Sequence, residues 1–421
     1  MFQTIRDAWK IPDLRKKMLF TLLMLAVFRL GTFIPVPGLN SAALQELIGD
    51  GNTLFALMDS FSGGAFSNAT IFAMGITPYI NSSIILQLLT VAIPALERMS
   101  KEGEEGRKKI ASWTRYGTII LAIIQAVGLY FGIKGAVETP GFASFITIIA
   151  TFTAGTAFLM WLGEKITENG VGNGISMIIF AGIVSGLPSG VVGMYNNFMA
   201  GAINIWAVVA IAILAIAMIA FVVFINDAER RIPVQYAKRM VGRKMYGGQS
   251  THIPIKVSMA GVIPIIFAMS IMSFPSTIMN LFGAPTQGFW SKFLSVISPN
   301  SWVYIIVYLL LIIFFTYFYT AIQFNPIEIA NNMKKNGGFV PGIRPGKPTS
   351  DFISRILSKI TLTGALFLGI IASLPLVLGK FIGFSISIGG TSMLIMVGVA
   401  LETVKQIESQ MLMHHYKGFL E

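Results

Sequence analysis

Ten long apolar runs are the feature of this 421-residue sequence that most constrains its fold. A helix that crosses the hydrocarbon core of a bilayer needs about 20 consecutive, mostly apolar residues. Only 12% of the residues are charged, about half the share found in soluble domains. We therefore predict a polytopic membrane protein. The predicted spans lie near residues 18–36, 71–92, 115–134, 143–163, 173–192, 204–226, 257–281, 301–322, 358–378 and 387–406.

The positions of the positive charges orient these spans. If there are ten spans and the N-terminus is cytosolic, all but four of the 31 Lys and Arg residues fall in cytosolic segments. The exceptions are Arg29 in the first span and Lys134, Lys292 and Lys380 outside. The positive-inside rule expects this asymmetry, so we predict that both termini are cytosolic. The stretch 196–210 blends into its neighbours, which leaves nine or eleven spans as alternatives.

The sequence offers little material for catalysis or metal binding. It contains no Cys and only three His residues, so neither a disulfide framework nor a thiolate metal site can form. Gly170–Gly174 is glycine-rich, but no predicted strand precedes it, as a dinucleotide-binding motif requires. Glu402 is the only acidic residue within the predicted spans. We expect no catalytic residue, no metal and no cofactor.

Three polar features interrupt the apolar pattern. Residues 54–69 are too short to span the membrane, which is typical either of a re-entrant segment or of an ordinary extracellular loop helix. The second and seventh spans carry Ser and Pro residues, so they face a cavity or other helices, with simple proline-kinked packing as the alternative. Arg29 is an intramembrane charge that either has a buried partner or snorkels to water.

Seven short motifs, spread in order over nearly the whole chain, carry a family resemblance. They are Phe61–Ala65, Gly75–Ile80, Glu102–Ile110, Gly172–Ser176, Ala260–Pro264, Phe339–Gly346 and Gly389–Ser392. In these motifs the chain resembles the bacterial SecY family, the channel subunits of the Sec protein translocon. The resemblance implies an all-α polytopic membrane protein with ten transmembrane helices. These would form two inverted five-helix halves, residues 1–192 and 193–421, with a re-entrant plug helix at about 54–66.

The resemblance also implies a set of site residues. The pore ring is expected at Ile76, Ile80, Ile179, Ile183, Ile266 and Ile395. Within this ring, two pairs of residues lie four positions apart, a spacing that puts both side chains on one helical face. The plug is expected at Phe61, Ser62, Gly63, Gly64 and Ala65. The lateral gate, formed by the second and seventh spans, is expected at Thr77, Asn81, Gln87, Gln125, Ser258 and Phe274.

Two long cytosolic loops, 227–256 and 323–359, are implied as docking sites for the ribosome and the SecA ATPase motor. The expected docking residues are Arg230, Arg231, Arg243, Lys244, Arg344 and Lys347. The net charge of +12 fits either anionic lipid headgroups or an acidic or ribonucleoprotein partner at these loops. The resemblance further implies SecE and SecG subunits, signal sequences, unfolded preproteins and membrane lipids as partners.

The implied function is a protein-conducting channel of the bacterial plasma membrane, without enzymatic activity. It would pass unfolded secretory polypeptides across the membrane and release apolar segments sideways into lipid. A secondary transporter of small solutes is the alternative, because such proteins also have about ten helices, broken spans and inverted repeats. The lack of acidic residues for ion coupling argues against it. A polytopic membrane enzyme is a third possibility, but no catalytic set is recognisable.

Overall fold

The computed structural model describes residues 2–49, 59, 62–201, 204–236, 239–241, 244–246, 250–281, 296, 301–382 and 390–417. Most of them are helical. The described helices are α1 Phe2–Lys10, α2 Pro12–Gly31, α3 Ser41–Gly49, α4 Thr77–Ala92, α5 Pro94–Lys101, α6 Glu104–Gly132, α7 Phe142–Asn169, α8 Gly174–Met199, α9 Ile205–Asp227, α10 Ile263–Leu281, α11 Trp302–Gln323, α12 Pro326–Lys335, α13 Lys347–Ile382 and α14 Gly390–Lys417. A short 3-10 helix at Lys134–Ala136 follows α6.

Each of the ten predicted spans coincides with one long helix, namely α2, α4, α6, α7, α8, α9, α10, α11, α13 and α14. In the part of the chain that the structure describes, six helices are long and apolar enough to cross a bilayer. A seventh candidate is α4 together with α5, which are bent by 102° relative to each other. The bend lies at Pro94, whose ring and missing N–H interrupt the helical hydrogen bonds.

The first span ends earlier than predicted. After α2 the chain is extended and pairs with the segment that precedes α4. The Val36 N–H donates a hydrogen bond to the Ala69 carbonyl at 2.8 Å, and Pro35 and Thr70 form an antiparallel bridge. The prediction was too long because this extended stretch is also apolar, so that hydropathy does not distinguish it from the helix.

The helices α4 and α10 both begin later than predicted, each after a run of turns. Both turns contain a glycine with left-handed backbone, Gly75 at φ 58° and Gly261 at φ 59°. Both helices carry a proline as their second residue, Pro78 and Pro264. Glycine tolerates positive φ, and proline suits the first helical turn, where its missing N–H needs no partner. The second span of each half therefore starts in the same way.

The glycine-rich motif between α7 and α8 is a helix cap. Gly172 has φ 85°, which turns the chain sharply. The Asn173 Oδ1 then accepts hydrogen bonds from the N–H groups of Ile175, at 3.1 Å, and Ser176, at 3.3 Å. Asn is a favoured N-cap because its side chain satisfies these otherwise unpaired donors. Gly174 packs directly against the backbone of α7 and leaves no room for a side chain.

The two long loops, 227–256 and 323–359, contain strands, for which the sequence pattern gave no prediction. The strands are β1 Glu229–Tyr236, β2 Arg239–Val241, β3 Lys244–Tyr246, β4 Ser250–Lys256 and β5 Gly338–Phe339. β1 pairs antiparallel with both β4 and β5, in the order β4-β1-β5, while β2 and β3 form a hairpin. Because β5 lies in the second loop, the two loops share one sheet.

Four hydrophobic clusters organise the packing of the described residues. The largest, the central cluster, draws buried side chains from α2, α4, α7, α8, α9, α10, α11, α13 and α14. A second cluster joins α3, α6 and α7 to the stretch between α2 and α4. A third joins the sheet to α12 and α13. The sheet is thus packed on the start of α13, and a fourth, smaller cluster joins α1, α2 and α14.

Candidate functional site

The six isoleucines of the expected pore ring all belong to the central cluster. They come from four helices that are far apart in sequence. Ile76 is the N-cap of α4 and Ile80 lies one turn later, Ile179 and Ile183 lie in α8, Ile266 in α10 and Ile395 in α14. Four are buried, and Ile80 and Ile266 are half-buried. Since isoleucine side chains carry no hydrogen-bonding group, this part of the cluster offers nothing to ions or water.

The inner segment, residues 62–66, packs against the same cluster. Ala65 is completely buried and is a member of the cluster, and Ser62 is also buried. Gly63 and Gly64 have positive φ values of 68° and 82°, so the chain turns here rather than continuing a helix. Phe61, the remaining predicted plug residue, lies outside the described residues, as do Leu54 to Met58.

The Gly63 carbonyl is the point at which neighbouring helices hold the inner segment. The Arg29 Nη1 in α2 donates a hydrogen bond to it at 3.0 Å. The Ser185 Oγ in α8 lies within hydrogen-bonding distance on its other side, at 3.3 Å. Arg29, which sequence reasoning left without a role, therefore has a defined partner.

Asp59 lies just before the inner segment and closes its turns. Its Oδ1 accepts a hydrogen bond from the Ser67 N–H at 2.7 Å. Its main-chain carbonyl accepts from the Gly64 N–H at 3.0 Å and from the Ser62 hydroxyl at 3.2 Å. Burial raises the pKa of the Asp59 carboxyl, although the hydrogen bonds from Ser67 act in the opposite direction. The charge state of this carboxyl is therefore linked to the position of the segment.

The helices expected to form the lateral gate, α4 and α10, pack against each other, and α6 contacts both. Thr77 and Gln87 are half-buried on α4, where Asn81 is buried. The Gln87 Nε2 donates to the Ser83 Oγ at 3.3 Å. Gln125 is half-buried on α6. Polar side chains thus lie along α4 and α6. This is expected for helices that face one another or α10.

The α10 side of this contact holds the other two expected gate residues. Ser258 lies in the turns before α10, and its hydroxyl is buried without a hydrogen-bond partner among the described residues. Phe274 lies within α10, where only the backbone is described at that position.

The expected docking residues lie on the two long loops. Arg230 and Arg231 are exposed on β1, and Arg231 forms an ion pair with Glu229 at 2.7 Å. Arg344 and Lys347 are exposed, and within the described ranges neither forms an ion pair with an acidic side chain. Their free positive charge is available to a partner.

Less is described of the remaining two docking residues. Arg243 lies outside the described residues, and of Lys244 only the backbone in β3 is described.

In the described ranges, no group of three or more His, Asp or Glu side chains is placed to hold a metal ion. The described residues thus combine an apolar cluster with exposed basic side chains on the two long loops.

Comparison with known proteins decides the family. The SecY family model matches residues 70–404. The protein translocase subunit SecY of Halalkalibacterium halodurans is 49% identical over 435 residues, an alignment that covers 100% of both chains. The chain belongs to the SecY family.

Solved structures carry the same SecY fold. One is of a SecY protein whose plug domain stabilises the closed state of its channel and maintains a membrane seal. It matches with a TM-score of 0.69 at 21% identity and covers 96% of each chain. Another, from the canine ribosome–channel complex of the endoplasmic reticulum, has a TM-score of 0.63 at 19% identity and the same coverage. The predicted fold class is confirmed.

Two features of this SecY-family chain escaped sequence reasoning. Ser185 is one of three serines in an apolar helix, and no local pattern distinguishes it from the other two. The pairing of Gln235 with Phe339 and of Tyr236 with Gly338 joins strands that are distant in sequence. A two-residue strand such as β5 has no periodicity that could have predicted it.

Proposed function

We propose that this chain is a protein-conducting channel. It passes unfolded secretory polypeptides across the membrane and releases apolar segments sideways into lipid. The observation that carries the proposal is the meeting of six isoleucines, from four helices, with the inner segment in one buried cluster. An apolar contact of this kind closes a path without providing groups that would bind a small solute.

The pore ring and the plug are the proposed means of closure. A narrow ring of isoleucines excludes water and ions by dewetting, and its side chains can rearrange around a passing chain. The inner segment, with the residues before it, is the proposed plug. Its Ala65 and Ser62 support this role because both are buried, and Ala65 belongs to the same cluster as the ring residues.

The contact between α4 and α10 is the proposed lateral gate. An apolar residue such as Leu or Ile gains about 0.3–0.6 kcal/mol at the centre of a membrane helix, whereas Asp, Lys or Arg costs about 2.5–3.5 kcal/mol. An apolar run would therefore leave through an opened gate. A single charge offsets several apolar residues, so polar chain would continue through the pore.

The shared cytosolic sheet is the proposed docking surface for the ribosome and for the SecA motor. It presents Arg230, Arg344 and Lys347 as exposed cations. Their charge suits ribosomal RNA or an acidic protein surface. A structural relative of the chain comes from a ribosome–channel complex, which supports the ribosome as a partner. SecE and SecG are the proposed companion subunits, and the motor or ribosome supplies the driving energy.

The chain is a multi-pass membrane protein, and we place it in the bacterial plasma membrane with both termini in the cytosol. The distribution of Lys and Arg supports that orientation, and a bacterial SecY relative supports the location. The alternative of a small-solute transporter lacks support, because both the relatives and the apolar closure point to a polypeptide channel.

Reconstitution tests the proposal. The chain would be placed in vesicles with SecE, SecG and SecA, ATP and a secretory precursor. The precursor should become protected from added protease inside the vesicles, and it should not when ATP is omitted. Absence of protection in well-assembled vesicles, or uptake of a small solute instead, would contradict a protein-conducting channel.

A further inference from the structure

Arg29 is a cation in a costly position. It lies half-buried in the last turn of α2, a span of the membrane domain. Intramembrane charges are rare and normally face partners inside the bundle. In the described part of the chain the guanidinium pairs with no carboxylate. Its contacts are the Gly63 carbonyl at 3.0 Å, the Thr32 hydroxyl at 3.4 Å and the Phe33 ring at 4.9 Å.

The Gly63 carbonyl is therefore the strongest acceptor available to this charge. Hydrogen bonds with an ionised partner are roughly twice as strong as neutral ones. Thr32 is a weaker partner, because its hydroxyl oxygen lies 3.4 Å from the Arg29 Nη1, against 3.0 Å for the Gly63 carbonyl. The cation–π contact with Phe33 orients the guanidinium but gives it no hydrogen bond. Most of the compensation for burying Arg29 thus depends on the inner segment being in place.

Ser185 reaches the same carbonyl from the other side. Its hydroxyl lies 3.3 Å from the Gly63 oxygen and 2.7 Å from the Gly182 carbonyl of its own helix. A hydroxyl has one proton, and the shorter distance favours Gly182 as its acceptor. Ser185 therefore contributes less to holding the segment than Arg29 does.

Gly63 is shaped for this contact. Its φ of 68° is a conformation that glycine adopts readily and other residues rarely. A Cβ at this position would lie 2.6 Å from the Ser185 Oγ and 2.9 Å from the Gly182 Cα. Only a residue without a side chain lets the carbonyl sit between α2 and α8. The backbone geometry and the two donors are thus matched to one another.

We propose that Arg29, assisted by Ser185, is a latch that holds the plug closed through the Gly63 carbonyl. This inference rests on the proposed role of the inner segment as the plug. The latch is a positioning device: opening the plug separates Gly63 from Arg29 and leaves the cation without its main acceptor. The strength of this single hydrogen bond then sets how often the resting channel opens.

Resting ion conductance in planar bilayers tests the latch, with the channel reconstituted alongside its companion subunits. Arg29→Met removes the donor and keeps an apolar stem. It should raise the conductance per channel about tenfold or more, the ratio that corresponds to losing one charge-assisted hydrogen bond. Arg29→Lys should give an intermediate rise and Ser185→Ala a smaller one. Arg115→Met is the matched control, because that arginine pairs with Glu164 at 2.8 Å, away from the plug.

A combined variant separates the latch from a general loss of structure. Deleting residues 57–65 removes the plug and Gly63 together, and should itself raise the conductance. Adding Arg29→Met to this deletion should then change nothing further. An additional rise would overturn the latch, since Arg29 would be acting without the plug. So would an unchanged conductance of Arg29→Met in the full-length chain.

The same measurements distinguish failure of the latch from failure of the proposed plug. If the deletion leaks and Arg29→Met does not, the latch fails and the plug stands. If the deletion does not leak, the proposed plug itself fails and the latch fails with it. Gly63→Ala gives an independent route, because its Cβ would displace the carbonyl while Arg29 stays intact. It should also leak, and a tight Gly63→Ala channel would contradict the proposal.

Discussion

At the scale of single residues, closure depends on the kind of side chain at each position of the ring. Ile179, Ile183 and Ile395 are 3%, 5% and 0% exposed. Each side chain is compact and apolar. The helices that carry them also contain polar residues and glycines. For closure, the position of an apolar residue in the cluster should therefore matter more than the total number of apolar residues. Substitution can test this.

Replacing Ile183 and Ile395 together by Asn should make the resting channel leak ions several-fold more. Amide groups hold water where isoleucine cannot, so the constriction becomes hydrated. Export of precursors with weak signal sequences should also become easier, because a weakened closed state needs less binding energy to open. Conductance in planar bilayers and protease protection of such precursors measure the two effects.

Ile148→Asn provides the control. Ile148 in α7 is as fully buried as Ile395, but it belongs to the second cluster and not to the central one. The substitution should lower stability without raising the leak. Equal leak from Ile148→Asn and from the double variant would mean that buried amides loosen the bundle generally, and the ring assignment would fail.

Asp59 should make the resting leak depend on pH. Burial in the closed state raises its pKa above the ordinary value of 3.8, and displacement of the plug into water should restore that value. The closed state then binds the proton more tightly than the open state, so acidification stabilises closure. The leak should fall as the pH drops through the raised pKa, and should change no further below 3.8.

Conductance measured while the pH on the plug side is lowered checks this sign. Asp59→Asn, which mimics the neutral carboxyl, should leak less than the parent at neutral pH and should show no such dependence. A leak that rises on acidification in the parent, and not in Asp59→Asn, would contradict the linkage.

Sequence alone could not select these residues on physical grounds. Isoleucine is common throughout the spans, and only the family resemblance singled out six of them. The partner of Arg29 lies 34 residues away, and no local pattern connects the two. Charge in an apolar helix was a sufficient signal that a partner exists, but not of its identity.

At the scale of elements, the spans were predictable because their length and apolarity are local properties. The starts of α4 and α10 were not, since turns made of buried apolar residues have the same hydropathy as a helix. Phe72 and Met74, for example, are 2% and 3% exposed within such turns. The sheet was also missed: its β1 and β4 are short and lie in one loop, and β5 joins them only after α10 and α11.

That sheet can be tested by a disulfide between the two loops. Gln235 and Phe339 are opposite each other in the antiparallel pair of β1 and β5. Such partners have Cα atoms about 4.5–5.5 Å apart, within the range of about 4.4–6.8 Å that a disulfide needs. The Gln235→Cys, Phe339→Cys variant should therefore cross-link on mild oxidation. The chain has no other Cys, so a mobility shift on a non-reducing gel reports only this pair.

Val234→Cys with Phe339→Cys is the matched control. Successive residues of a strand point to opposite faces, and Val234 is buried beneath the sheet while Gln235 is exposed. This second pair should remain reduced under the same conditions. Similar cross-linking of both pairs would indicate random collision of loose loops in place of a defined register.

At the scale of the whole molecule, the sheet makes the two long loops one body, packed through the third cluster on α12 and α13. A partner that binds either loop therefore acts on the same rigid unit. Arg344 lies exposed on it, in a turn whose backbone is fixed by a hydrogen bond from the Thr349 hydroxyl to the Arg344 carbonyl at 2.8 Å. The backbone that carries this side chain is thus held in a defined place.

Arg344→Glu should impair SecA-driven export by an order of magnitude or more while leaving the protein level unchanged. The substitution reverses one exposed charge and touches no span. Lys335→Glu is the control, since it makes the same charge change at another exposed position of the loop. Normal SecA-stimulated translocation by Arg344→Glu, or an equal defect in Lys335→Glu, would argue against a specific contact.

The two glycine turns that precede α4 and α10 have a mechanical consequence. In the proposed gate each helix would pivot about its own turn, because the helical hydrogen bonds begin only beyond the glycine. Ile80 and Ile266 lie close to these pivots, so opening would displace them less than the far ends of their helices. Pro275 lies inside α10, so this helix can also bend towards its far end. In the inverted arrangement that the family resemblance implies, the two helices would run in opposite directions, and their far ends would part the wall in opposite leaflets.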